Sequence, residues 1–160
     1  MKWNAAKLLE RIATNEGKVA ELYKSLAENT KFGEKFFLNM AEDELRHEHM
    51  YRKLIENNAE ALMVEIDDEY SEYLDLLIEN DMFKDSDELL KKAKNLIDRS
   101  QVLDLCEKVE RDAVMYVSEI INLLPNLAAK EMKVVLKEEK KHLQMILQKK
   151  ADRGIFGIGM

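Results

Sequence analysis

The 160-residue sequence predicts an all-α fold: four long helices forming two hairpins, joined by a long crossover between the second and third. Three observations carry this. Five Gly and one Pro are too few for the many tight turns of a β-sandwich or barrel. Four segments repeat their apolar residues with a helical period. The breaks at 30–33 and 124–126 are short enough to fold each helix back on its neighbour. A content of 46% hydrophobic and 36% charged residues suits one folded helical domain, placed at 1–151, with a short tail at 152–160 to which no chemistry is given.

The first helix is expected from Asn4, a good N-cap residue, to Asn29. The second spans about Gly33 to Asn57. The third spans about Ser100 to Leu124, opened by a Ser cap and closed by Pro125. The fourth spans about Asn126 to Ala151. The stretch from Asn58 to Arg99 is too long for a bare loop in a compact domain, and it carries helical patches at Asp67–Glu79 and Ser86–Lys94. It is the expected crossover between the hairpins.

A net charge of −7 argues against a nucleic-acid partner, which needs a basic face. No apolar run approaches the roughly 18 residues of a membrane span. The N-terminal MKWNAAKLLER lacks the apolar run of a secretory signal, so a cytoplasmic location is expected. A single cysteine, Cys106, excludes a disulfide framework and any Cys-x-x-Cys knuckle within these residues.

The inward stripes hold the chemistry. They read Leu9, Ile12, Glu16, Val19, Tyr23, Leu26 in helix one and Phe37, Met40, Glu44, His47, Tyr51, Leu54 in helix two. Helix three gives Leu103, Cys106, Glu110, Ala113, Val117, Ile120, and helix four Met132, Val135, Glu139, His142, Ile146. Each stripe is apolar except at its middle, where every helix places one Glu; helices two and four add a His three residues on, on the same face. The halves repeat: Glu16 precedes Glu44 by 28 residues and Glu110 precedes Glu139 by 29. Unpaired buried carboxylates are strongly disfavoured, and no Lys or Arg lies on these stripes. Two divalent cations would balance four negative charges. A thiolate-free, oxygen-rich donor set suits iron or manganese rather than structural zinc, and iron is preferred because a pair of redox metals can pass two electrons to dioxygen or peroxide.

The segments NEGKVAELY, AEDELRHEHMYRKL, EKVERDAVMY and KEEKKHLQMI resemble the ferritin-like di-iron carboxylate proteins, and most of all the rubrerythrin family. The resemblance covers all four helices. It implies a ferritin-like four-helix bundle in which Glu16, Glu44, His47, Glu110, Glu139 and His142 ligate two iron ions per chain. Tyr23 matches a family companion of the first Glu. Asp43 and Glu138 stand where related proteins use acids to hold the opposite helix's His; outward-facing surface acids are the equal alternative. Two departures stand out. Ala113 occupies the position of an additional rubrerythrin carboxylate, and the sequence lacks the cysteine pairs of a rubredoxin module. An external electron donor, such as a separate rubredoxin, is therefore expected, with a small oxidant as substrate and a homodimer as the assembly.

The remaining candidates carry plainer expectations. Tyr51 and Cys106 are expected to be core residues, Glu107 to be solvated and His49 to point away from the site. Gly17, inside helix one, reflects either close helix approach or surface tolerance. The leading function is a di-iron oxidoreductase that reduces hydrogen peroxide or dioxygen. The alternative is a ferroxidase and storage protein of bacterioferritin type. A short tail, a bulky crossover, and Leu45 where a haem-binding Met is expected all oppose it.

Overall fold

The computed structural model describes residues 2–30, 32–96 and 98–155. Among the described residues six α-helices follow in order: α1 Ala5–Asn29, α2 Glu34–Asn57, α3 Asp68–Glu79, α4 Ser86–Ala93, α5 Arg99–Leu123 and α6 Ala129–Ile155, with a 3-10 turn at Ala61–Met63. The four long helices are α1, α2, α5 and α6. Among the described residues the sole β pairing is an isolated antiparallel bridge between Asn4 and Glu65. No helix is long and apolar enough to cross a membrane among them.

Local chemistry sets the helix ends. Asn4 caps α1, its side-chain oxygen accepting from the Lys7 amide at 2.8 Å. Gly33 opens α2 with φ of 69°, a left-handed conformation that suits glycine. The cap of α5 is Asp98 rather than the expected Ser: its carboxylate accepts from the Ser100 amide at 2.8 Å and adds negative charge at the positive end of the helix. The fourth long helix begins three residues later than its pattern suggests. Leu127 N–H closes a turn on the Leu124 carbonyl, and Ala128 sits at φ 45° before the first helical bond, from Met132 N–H to the Ala128 carbonyl. That helix also runs past Ala151 to Ile155, and residues 156–160 of the expected tail lie outside the described residues.

Two apolar clusters fill the bundle, one at each end. Tyr23, Leu26, Phe37, Met40, Leu103, Cys106 and Ile146 belong to the first. Leu9, Ile12, Tyr51, Val117, Ile120, Met132 and Val135 belong to the second. Cluster membership gives the directions: α1 and α6 run from the second cluster to the first, while α2 and α5 run from the first to the second. Both hairpins are thus antiparallel, and α2 is parallel to α5. A chain leaving α2 must travel back along the whole bundle before α5 can start, about 37 Å for helices of this length. This is the physical reason for the crossover.

The crossover also covers a second face of α1, which buries Leu8, Asn15 and Leu22 in addition to its predicted stripe. Trp3 Nε1 donates to Asp75 Oδ1 at 2.8 Å, and Asp81, buried between α3 and α4, accepts from Asn15 Nδ2 at 3.0 Å and Tyr116 OH at 2.5 Å. A single-face amphipathic reading cannot reveal this, because the covering segment is remote in sequence. The cap assignment has a direct test. Asp98→Ala should lower the urea-unfolding stability by about 1 kcal/mol, whereas Ser100→Ala, which removes no cap, should change it by less than about 0.5 kcal/mol.

Candidate metal centre

Between the two apolar clusters lies a layer of polar side chains. Glu44, Glu110 and Glu139 are fully buried, and Glu16, His47 and His142 nearly so. Their helices put them there because each stripe carries its acid at the mid-point, with an apolar residue one turn before it in every helix and, one turn after, Val19 in α1, Ala113 in α5 and the histidine in α2 and α6. Donor atoms from these six residues fall into two overlapping groups, each within 4.8 Å. One comprises Glu16, Glu44, His47 and Glu139; the other comprises Glu44, Glu110, Glu139 and His142. Glu44 and Glu139 belong to both. Glu16 with His47, and Glu110 with His142, complete opposite ends.

Both imidazoles direct Nδ1 inward and Nε2 outward. His47 Nδ1 lies 2.8 Å from Glu139 Oε1, 3.4 Å from Glu44 Oε2 and 3.7 Å from Glu16 Oε2. His142 Nδ1 lies 2.9 Å from Glu44 Oε1, 3.6 Å from Glu139 Oε2 and 3.7 Å from Glu110 Oε2. On the outer side, His47 Nε2 meets Glu138 Oε2 at 2.7 Å and His142 Nε2 meets Asp43 Oδ2 at 2.9 Å. Each outer acid sits on the helix opposite the histidine it meets. Tyr23 donates its hydroxyl hydrogen to Glu110 Oε1.

Protein groups leave much of this layer unsatisfied. Glu16 Oε2, both Glu44 oxygens, Glu110 Oε2, Glu139 Oε2 and His142 Nδ1 are buried without a hydrogen-bond partner. Crowded anionic oxygens and an imidazole lone-pair position, aimed at a common centre, form a cation donor set. The residues therefore fit a pair of hard divalent ions.

The electrostatics of the metal-free layer point the same way. Burial, reinforced by Glu44, holds the Glu16 carboxyl well above its usual range. Burial, with Glu44 and Glu139, does the same to Glu110. Burial alone would depress the histidines, but the surrounding carboxylates outweigh it and raise both. All four shifts run in the direction that favours added positive charge within the layer.

The sequence matches the Rubrerythrin family model over residues 7–150. The chain belongs to the rubrerythrin family. A crystal structure of a Thermotoga maritima protein assigned as a ferritin-like diiron-carboxylate protein superposes on it with a TM-score of 0.75 and 24% identity, covering 95% of this chain and 97% of that one. At that identity the likeness shows the fold. No curated protein matches the sequence.

The other candidate residues divide clearly. His49 is exposed, and Glu107 pairs outside the layer with Arg111 Nε at 3.0 Å and Lys150 Nζ at 2.8 Å. Cys106 is buried among apolar residues, and burial raises its thiol far above the range where a thiolate forms. Gly17 faces α2: a Cβ there would lie 2.7 Å from Glu48 Oε2, so it reflects close approach to a side chain that can move. Tyr51 is a core residue as expected, fully buried in the second apolar cluster, and burial, with Glu16, Glu139 and Glu44 nearby, pushes its hydroxyl well above its usual range. Arg46 escaped the inward-stripe reading because it lies on the outer face, yet it binds both Asp43 and Glu138.

The raised carboxyls and histidines fix the sign of the pH dependence. Native protein without metal holds protons that the unfolded chain releases above about pH 4.5 for the acids and about pH 6.5 for the histidines. Stability of the chelated protein should therefore fall as pH rises from 5 to 8 in urea titrations. Asp43 and Glu138, held below their usual range by His142, His47 and Arg46 despite partial burial, add stability that disappears on acidification below about pH 4. Metal-loaded protein should behave oppositely between pH 5 and 8, since ligands must be deprotonated to bind.

Proposed function

We propose that the chain is a di-iron oxidoreductase that reduces hydrogen peroxide, or dioxygen, with electrons from a separate donor. The observation that carries this is the pair of overlapping donor groups sharing Glu44 and Glu139. In this reading Glu44 and Glu139 would be shared between two metal positions, with Glu16 and His47 available to hold one ion and Glu110 and His142 the other. Two divalent ions would neutralise four carboxylates, and the buried oxygens without hydrogen-bond partners support this reading. Iron is preferred over manganese; the pair supplies two electrons to the oxidant.

The chain's own residues have definite tasks. Nδ1 of each imidazole is the nitrogen that would hold a metal, and the outer hydrogen bonds to Glu138 and Asp43 would keep the proton on Nε2. Tyr23 restrains Glu110. The histidines approach from α2 and α6, leaving the α1–α5 side for the oxidant. A cavity of about 10 Å³ reaches Glu16 on that side, lined also by Asn15, Asp81, Phe83, Asp112 and Ala113. Room for one water-sized molecule favours a small oxidant over an organic substrate. Peroxide reduction consumes two electrons and two protons and yields two waters. With one cysteine among 160 residues, these residues build no tetrathiolate electron-transfer site, so the donor is separate from them. We place the protein in the cytoplasm as a homodimer, with the 1–151 segment as the catalytic domain.

A ferroxidase role uses the same ligands and differs in the oxidant and in assembly. Anaerobic loading should give two irons per chain, and hydrogen peroxide should oxidise that protein in a single turnover faster than dioxygen does. Continued turnover should require added rubredoxin and its reductase. Faster oxidation by dioxygen, in a shell-like assembly, would favour the ferroxidase. His142→Ala should slow the oxidation, His49→Ala should not. Iron in hundredfold excess over its dissociation constant should stabilise the fold by about 2.7 kcal/mol; unchanged melting after chelation would overturn the site.

A further inference from the structure

Arg46 stands on the outer face of α2 with its side chain half exposed. Its Nη2 donates to Asp43 Oδ1 at 2.8 Å and to Glu138 Oε2 at 2.9 Å, and its Nη1 donates to Glu138 Oε1 at 3.2 Å. Those acids are the outer partners of His142 and His47. The contacts form one unbroken chain: His47 to Glu138, Glu138 to Arg46, Arg46 to Asp43, Asp43 to His142.

We propose that Arg46 is a positioning residue that ties both imidazoles to one guanidinium, so that the two metal positions are held, or loosened, together. The proposal rests on the di-iron reading above. Three features carry it. Arg46 lies three residues after Asp43, one turn along the same helical face, so both address the same neighbour. Glu138 is reached across the α2–α6 interface, which no short turn holds in register, so the contact fixes two helices as well as two carboxylates. The planar fork of a guanidinium engages the two acids at once, in a geometry a single ammonium cannot reproduce.

An isolated exposed ion pair contributes little, because water screens it and long side chains lose freedom. Here the carboxylates are partly buried, with side-chain exposures of 39% for Asp43 and 27% for Glu138, and each is already committed to an imidazole. Without Arg46 each carboxylate keeps one hydrogen bond and regains rotamer freedom. The imidazole it holds loses orientation. Arg52, two turns further along α2, makes its ion pair with Glu48 and supplies a control of equal charge.

The test titrates cobalt(II) into the chelated full chain, reading visible absorption and chelator competition. Wild type should bind two ions. Arg46→Gln should weaken both positions together by about tenfold, near the low end for losing an outer partner, and alter the absorption of both. Arg46→Lys should recover part of the affinity, and Arg52→Gln should match wild type. Metal-free Arg46→Gln and Arg52→Gln should melt alike, separating positioning from general stability. Binding of both ions by Arg46→Gln within twofold of wild type overturns the inference, as does weakening at one position alone or an equal loss in Arg52→Gln. A wild-type chain that takes up no cobalt overturns the metal reading itself, and this inference with it.

Discussion

Four carboxylates share one layer inside an apolar bundle, and the rest of the molecule is arranged around that. Each acid is flanked along its helix by apolar residues that withdraw it from water. Burial makes an uncompensated charge costly by several kcal/mol, and the proximity of like charges adds to it. The layer is therefore strained in every state except one that supplies positive charge at its centre. Burial and neighbouring carboxylates raise Glu16 and Glu110, and the same carboxylates raise both histidines against burial, so all four shift in the direction that favours added positive charge.

The core is divided as a consequence. Two apolar clusters lie on either side of the polar layer, so each long helix buries two separate stretches. Helix pairing then brings residues remote in sequence to one level: Glu16 and Glu110 from α1 and α5, Glu44 and Glu139 from α2 and α6. The crossover returns the chain to the correct end and seals the outer face of α1. By doing so it also reduces the space beside Glu16 to a single small molecule's worth.

The order reaches outward beyond the polar layer. A histidine with one nitrogen turned inward must find a partner for the other, and Glu138 and Asp43 provide it across the helix interface. Those acids are half in water, where a carboxylate has many alternative partners, and Arg46 removes that freedom. The inner six side chains form two overlapping groups that share Glu44 and Glu139. Arg46 stands outside them, joined to both outer acids.

Much of this was determined by the sequence alone. Helical period, scarce Gly and Pro, and short breaks set the four long helices. The centred Glu on every stripe, and the His three residues after two of them, marked the polar layer, because a buried charge stands out against an apolar repeat. What periodicity cannot carry is the identity of neighbours across helices. The Asp98 cap and the delayed start of α6 depended on local backbone geometry around residues 98 and 125–128. The second buried face of α1 depended on a crossover that ends far away in the chain. The pairing of His47 with Glu138 and of His142 with Asp43 required α2 to lie beside α6, and Arg46, one turn from Asp43 on its own helix, looked like any exposed arginine until that packing brought Glu138 within its reach as well. Inward patterning is written along each helix, one turn at a time; contacts between helices are decided by how they pack, and only the tertiary structure holds them.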